Sequence, residues 1–116
     1  TPFAFGNDLY PREHGQHPCH IFCRSEIIKA LGYLGPPSLK HMFVDNCWMD
    51  WGKAVGITYL PNVIIEHLHF TVGKATYDET YQNSVKLWDD DQAAYSAYVR
   101  DNLARDIDAI KLALGV

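Results

Sequence analysis

The stretch Tyr59-Leu60-Pro61-Asn62-Val63-Ile64-Ile65-Glu66-His67-Leu68-His69 decides how this chain is expected to fold. Its run of β-branched residues favours extended backbone, which predicts a buried strand that ends in an acid and two alternating histidines. Side chains two positions apart point to the same side of a strand, so His67 and His69 share a face that Glu66 does not.

Two neutral imidazoles side by side can bind one metal ion, which makes His67 and His69 candidate ligands. The pair is incomplete, because a catalytic divalent ion needs a third protein ligand and an open position for substrate. A histidine at a strand end can equally be a hydrogen-bonded structural residue. Both interpretations of the pair stay open at this point.

The composition predicts one globular domain. The chain has 116 residues, 47% of them hydrophobic, and a formal charge of -4, which argues against nucleic acid as a partner. No hydrophobic run approaches the roughly 20 residues of a membrane span. Cys19, Cys23 and Cys47 are too sparse for a disulfide scaffold, so a cytoplasmic location is expected. The chain opens at Thr1 as though an element were already under way, which suggests a fragment or a processed chain.

The pattern along the chain predicts an α/β fold. Helix signals separate short extended segments, and Trp48, Trp51 and Val55 are spaced three and four apart, as on one helix face. The elements predicted in chain order are a brief strand near the start, a strand over 20–23, a helix over 26–31 capped by Ser25 and stopped by Gly32, a helix from Asp45 to Gly56, extended segments over 57–60 and 63–69, and helical structure from Tyr77 onward.

A long amphipathic helix is predicted at the C-terminal end, with Asp89 as its candidate cap. Its apolar stripe consists of Tyr95, Tyr98 or Val99, Leu103, Ile107, Ile110 and Leu114. The acidic triplet Asp89-Asp90-Asp91 fits the positive end of that helix better than it fits a metal site.

Asp45 allows two interpretations. As an N-cap it would accept backbone N–H groups, and no further function is needed. As a general base it would accept a proton from a hydroxyl, beside aromatic side chains that can stack on a sugar ring. The two roles are compatible with each other.

The cluster of His17, Cys19, His20 and Cys23 resembles half of a zinc site. A structural zinc normally takes ligand pairs from two separated segments, and the sequence has no second pair with that spacing. Packing of Cys19, Ile21 and Cys23 on one strand face is therefore the favoured interpretation.

Several segments together resemble the C-terminal half of GT-A-type glycosyltransferases related to family 2, of a kind found in phages and bacteria. The resemblance covers most of the chain. It rests on the order and spacing of Gly6–Tyr10, Arg24–Tyr33, Pro36–Trp48, Gly52–Gly56, Tyr59–Pro61, Glu66–His69 and Gly73–Asp78.

The resemblance implies an acceptor-binding, metal-completing half of a nucleotide-sugar-dependent transferase, with a partial GT-A-like mixed sheet and flanking helices. It implies Asp45 as the catalytic base, a divalent manganese or magnesium ion held by His67 and His69, and substrate contacts from Trp48, Asn46 and His41. Nucleotide sugar and acceptor are the implied partners. The nucleotide-binding half and its Asp-x-Asp motif would precede Thr1, so residues 1–116 are expected to be inactive alone.

A non-enzymatic metal- or carbohydrate-binding module, complete at this length, is the alternative. Either hypothesis allows a homo-oligomer, because an apolar face left without a partner favours self-association.

Overall fold

The sheet of this α/β protein has its first strand in the middle. The computed structural model describes all residues, Thr1–Val116. The elements are β1 (Phe3–Asn7), β2 (Ile21–Cys23), α1 (Ser25–Leu31), α2 (Val44–Val55), β3 (Ile57–Ile64), a 3₁₀ turn (Phe70–Val72), α3 (Glu79–Lys86), α4 (Trp88–Asp101) and α5 (Leu103–Leu114). The strand order is β2-β1-β3, with β1 antiparallel to β2 and parallel to β3. The predicted class, a mixed sheet with flanking helices, is confirmed.

A glycine allows β1 and β3 to approach closely where their register shifts. The ladder pairs Gly6 with Leu60 and then Asn7 with Ile64, so β3 carries extra residues opposite this step. A Cβ atom at Gly6 would lie 2.4 Å from the carbonyl oxygen of Val63. Only glycine fits there without displacing the neighbouring backbone.

The core lies between the sheet and the helices. Its buried cluster consists of Phe3, Ile27, Cys47, Trp51, Tyr98 and Ile110. Trp51 is fully buried, and Trp48 and Val55 pack against the same cluster, which confirms the predicted apolar face of α2. None of the helices combines the length and apolar character needed to cross a bilayer.

The single long C-terminal helix was a wrong prediction. Two helices, α4 and α5, meet at Asn102, whose backbone angles of φ -131° and ψ -20° break the helical path. The apolar stripe itself is confirmed, since Tyr98 and Ile110 are buried in the core and the other members pack against it. Val99, the alternative to Tyr98, is exposed.

Three predicted caps are also corrected. Arg24 occupies the N-cap position of α1, and Ser25 is its first helical residue. Phe43 precedes α2 with a left-handed backbone, φ 70°, so Asp45 lies in the first turn and does not cap the helix. Leu87 precedes α4, which places Asp89 inside the first turn as well. The predicted stop at Gly32 is confirmed by its φ of 81°.

The predicted strand over 63–69 is too long at its C-terminal end. β3 runs without interruption through Pro61 and ends at Ile64, so His67 and His69 lie beyond it. The backbone nevertheless stays close to the chain that follows β1, because Ile65 N–H donates to Asn7 O and His67 N–H donates to Asp8 O. The predicted packing of Cys19, Ile21 and Cys23 on one strand face is confirmed for Ile21 and Cys23, which contact the core, but is wrong for Cys19, which precedes β2 and lies apart from the core.

Candidate functional site

A cavity of about 490 Å³ brings together most of the residues that the sequence nominates for function. Its lining includes the predicted base Asp45, the predicted substrate contacts His41, Asn46 and Trp48, and the predicted metal ligand His67. These residues come from the loop before α2, from the first turns of α2 and from the segment after β3. We call this cavity the aromatic pocket, after its walls.

Aromatic side chains form much of the wall, and sequence analysis assigned only one of them to the site. Phe43 and Trp88 line the pocket beside Trp48, with the Phe43 and Trp88 rings 4.7 Å apart. Trp88 stands at the start of α4, far along the chain from Asp45, and no local pattern links the two. Trp48 Nε1–H donates to the carbonyl oxygen of Leu34 at 2.7 Å, which fixes the indole at the pocket wall.

Asp91 holds the loop that forms the pocket rim. Its buried carboxylate accepts the backbone N–H groups of Lys40 at 2.8 Å, His41 at 2.9 Å and Met42 at 2.7 Å. Burial alone would raise the pKa of Asp91, but these three donors outweigh it and the pKa lies below its ordinary value. The acidic triplet therefore contributes a loop anchor, in place of the helix cap predicted for it.

Asp45 is held in its ionised form. Its Oδ1 accepts the N–H of Asn46 at 3.0 Å, and its Oδ2 lies 3.1 Å from Nε2 of His17. Burial by itself would raise the pKa of this carboxyl, but the adjacent His17 imidazole and the N–H of Asn46 lower it by more, so the net shift is downward. The sequence links His17 only to a possible zinc cluster, because its approach to Asp45 depends on a loop path that the sequence does not reveal.

His67 and His69 do lie side by side, as the alternation predicted. Their rings are stacked, with centroids 5.1 Å apart and an interplanar angle of 17°, and Tyr10 packs edge-on against both. Burial, followed by the charge of His69, lowers the pKa of His67, which keeps this imidazole neutral. His67 lines the aromatic pocket, whereas His69 does not.

The surroundings of His69 favour a structural hydrogen-bonding role. Its Nδ1 accepts the backbone N–H of Thr71 at 3.2 Å and thereby caps the 3₁₀ turn. The same nitrogen lies 2.8 Å from Oγ1 of Thr71, a hydroxyl that can donate to it or accept from it according to the tautomer of the ring. These two contacts to Thr71 account for the position of His69 beside the 3₁₀ turn without a metal ion.

The residues present do not by themselves fit a divalent metal ion. No group of three or more His, Cys, Asp or Glu side chains is arranged so that it could hold one. His67 supplies one neutral imidazole and His69 is engaged by Thr71, so the ligand set that a catalytic ion requires is incomplete.

Cys19 lines the pocket as a neutral thiol. Its Sγ lies 3.1 Å from Nη2 of Arg12, yet burial dominates and raises the pKa of Cys19 to about 12. A nucleophilic cysteine requires the thiolate, so this thiol is a packing and lining group.

Comparison of the chain with protein-family models, with curated proteins and with solved structures finds no match.

Proposed function

We propose that these residues form the acceptor-binding part of a nucleotide-sugar-dependent glycosyltransferase of the GT-A type, with Asp45 as its general base. The observation that carries the proposal is the convergence of Asp45, Asn46, Trp48, His41 and His67 on the aromatic pocket.

The chemistry of the pocket suits an acceptor sugar. Indole and phenyl rings offer flat apolar faces to the C–H faces of a pyranose, while Asn46, His41 and Asp45 offer hydrogen bonds to its hydroxyls. An ionised carboxylate at the wall can take the proton of the attacking hydroxyl as that oxygen bonds to the anomeric carbon. The bond between the anomeric carbon and the diphosphate oxygen breaks, and its electron pair leaves with the nucleoside diphosphate.

A manganese or magnesium ion belongs to this proposal, with His67 and His69 as two members of its ligand set. The remaining ligands would come from outside the described residues. The step assigned to the chain's own residues, proton transfer from the hydroxyl to Asp45, does not depend on that ion.

The test is glycosyl transfer by the full natural polypeptide that contains these residues. UDP-glucose, UDP-galactose, UDP-N-acetylglucosamine and GDP-mannose are each supplied with manganese or magnesium and a panel of mono- and disaccharide acceptors, and release of UDP or GDP is measured. Asp45→Asn is expected to reduce kcat by about 10²- to 10⁴-fold, the scale of general base catalysis. Asp101→Asn, an equivalent change on the exposed end of α4, is expected to leave it unchanged.

Two results would overturn the proposal. Transfer by residues 1–116 alone would show that no separate donor-binding half is needed. Saturable sugar binding without transfer from any donor would favour the carbohydrate-binding module.

A further inference from the structure

The Asp45–His17 pair lies where two cavities meet. Asp45 lines the aromatic pocket, whereas His17 lines a second, wholly polar cleft of about 490 Å³ formed by the loop between β1 and β2, and Asn46 lines both. The side chains of His17 and Asp45 are 27% and 34% exposed, so each reaches solvent on its own side while facing the other.

Asp45 is held from two directions. One oxygen accepts an N–H from its own helix, that of Asn46, and the other faces Nε2 of His17 on a separate loop. A carboxylate fixed by one contact still rotates about its terminal bond, but contacts to both oxygens define its plane.

The loop that carries His17 is itself anchored. Arg12 donates to both carboxylate oxygens of buried Asp8, each at 2.8 Å, and Cys19 N–H donates to the carbonyl oxygen of His17 at 3.0 Å. Pro18, next to His17, is fully buried. The imidazole therefore stands on a defined support beside Asp45.

We propose that His17 is a positioning residue for Asp45, holding the carboxylate ionised and oriented toward a hydroxyl bound in the aromatic pocket. This inference rests on the proposed function, because it assigns a task within the same reaction. His17 adds no covalent step, since the hydroxyl proton passes to Asp45 while the imidazole keeps its contact with that carboxylate.

The pH dependence of the site follows from the groups around Asp45. Burial raises the pKa of Asp45 and His17 lowers it, so the pKa should rise when His17 is replaced, and the carboxylate is then protonated at a higher pH. The other titratable side chains that line the pocket or interact with the charge of Asp45 are Cys19, His41, His67 and Tyr95. These groups are unchanged in a His17 variant, so a shift would report on the pair itself.

The experiment compares three variants of the full natural polypeptide. His17→Leu removes the ring nitrogen, His17→Gln restores a side-chain N–H donor, and His14→Leu is the control, since His14 lies on the same loop with its side chain 95% exposed. The probe is whichever of the four nucleotide sugars supports transfer by the unmodified polypeptide.

His17→Leu is expected to lower kcat by about 10- to 100-fold with little change in KM, as for loss of orientation at a reacting group. The acidic limb of its pH profile should move to higher pH, and His17→Gln should recover part of kcat. An unmoved acidic limb with kcat equal to that of His14→Leu would overturn the proposal.

A second measurement separates failure of this inference from failure of the proposed function. Carbon-13 NMR of aspartate-labelled protein follows the titration of Asp45 without any assay of transfer. If no donor supports transfer, the proposed function fails. A midpoint that rises in His17→Leu but not in His14→Leu then still supports the positioning of Asp45, and an unchanged midpoint overturns it.

Discussion

Asp91 belongs to the first turn of α4, yet its carboxylate organises the loop that leads into α2. It accepts three consecutive backbone N–H groups from Lys40, His41 and Met42, and this fixes the rim of the aromatic pocket. Phe43 follows with a left-handed φ of 70°, a conformation that strains a bulky residue and persists only where its surroundings enforce it. The loop held by Asp91 on one side and the start of α2 on the other keep Phe43 in this conformation.

Asp91→Asn is expected to lower the free energy of unfolding by about 3 kcal/mol, because charge-assisted hydrogen bonds are lost and an amide N–H₂ is turned toward backbone donors. The neighbouring Asp90→Asn, on an exposed side chain, should stay within about 0.5 kcal/mol of the unmodified protein. Urea denaturation of both variants measures the difference. Equal midpoints would contradict the anchoring role of Asp91.

The sequence predicts a helix end or a helix face well where neighbouring residues determine it. The helix stop at Gly32 and the apolar face of α2 depend on neighbouring residues and were both predicted. The break at Asn102 was not predicted, and it brings together two side chains from the helices on either side of it. Tyr98 O–H donates to Asp106 at 2.7 Å, whereas on one continuous helix the two residues would be about 12 Å apart.

The residues of the candidate site also differ in whether the sequence alone could show that they lie close together. Asp45, Asn46 and Trp48 lie within one turn of helix, so their proximity could be inferred from the sequence alone. The approach of His17 and Trp88 to that turn depends on a loop path and on the packing of α4, neither of which leaves a local signal.

Helix α2 packs closely on strand β3 at Gly52, so replacing this glycine by alanine is expected to have the opposite of its usual effect on stability. Replacing a helix-interior glycine by alanine ordinarily stabilises a protein by about 1 kcal/mol. A Cβ atom at Gly52 would lie 2.7 Å from Cβ and 2.8 Å from Cδ1 of Ile57, so Gly52→Ala is expected to destabilise by about 1–3 kcal/mol.

Thermal and urea unfolding test this sign. Lys53→Ala, at the next and exposed position of α2, is the control and should change stability little. Ile57→Val removes Cδ1, so adding it to Gly52→Ala should recover part of the loss in a double-mutant cycle. Stabilisation by Gly52→Ala would contradict close packing of α2 on β3.

The whole molecule relies on buried carboxylates as well as on its apolar core. Only 14 of 116 residues are buried, and Asp8, Asp91 and Asp106 are among them. Asp91 joins α4 to the loop before α2, and Asp106 accepts the hydroxyls of Tyr33 and Tyr98. Asp8 secures the loop after β1 through Arg12, four residues further along. Several large hydrophobic side chains stay exposed, so self-association remains a prediction.

Acid should therefore unfold this protein more sharply than its size suggests. Burial tends to raise the pKa of Asp8, but Arg12 and the N–H of Tyr10 lower it from 3.8 to about 2. A depressed pKa contributes stability that is complete above pH 4 and is lost as the pH falls from about 4 to 2, because the unfolded chain takes up the proton first. Asp45 and Asp91 shift in the same direction and add to this loss.

Asp8→Asn should lower the free energy of unfolding at pH 7 by about 3 kcal/mol, since Arg12 loses its carboxylate partner in a partly buried position. The slope of stability between pH 4 and 2 should become shallower, because one protonation that opposes folding has been removed. Glu13→Gln, whose side chain is 91% exposed on the same loop, is the control and should keep the slope of the unmodified protein. Urea unfolding at half-unit pH steps measures both quantities. If the free energy of unfolding of Asp8→Asn falls with the same slope as that of the unmodified protein between pH 4 and 2, Asp8 does not couple protonation to folding. Its pairing with Arg12 would then contribute little to stability.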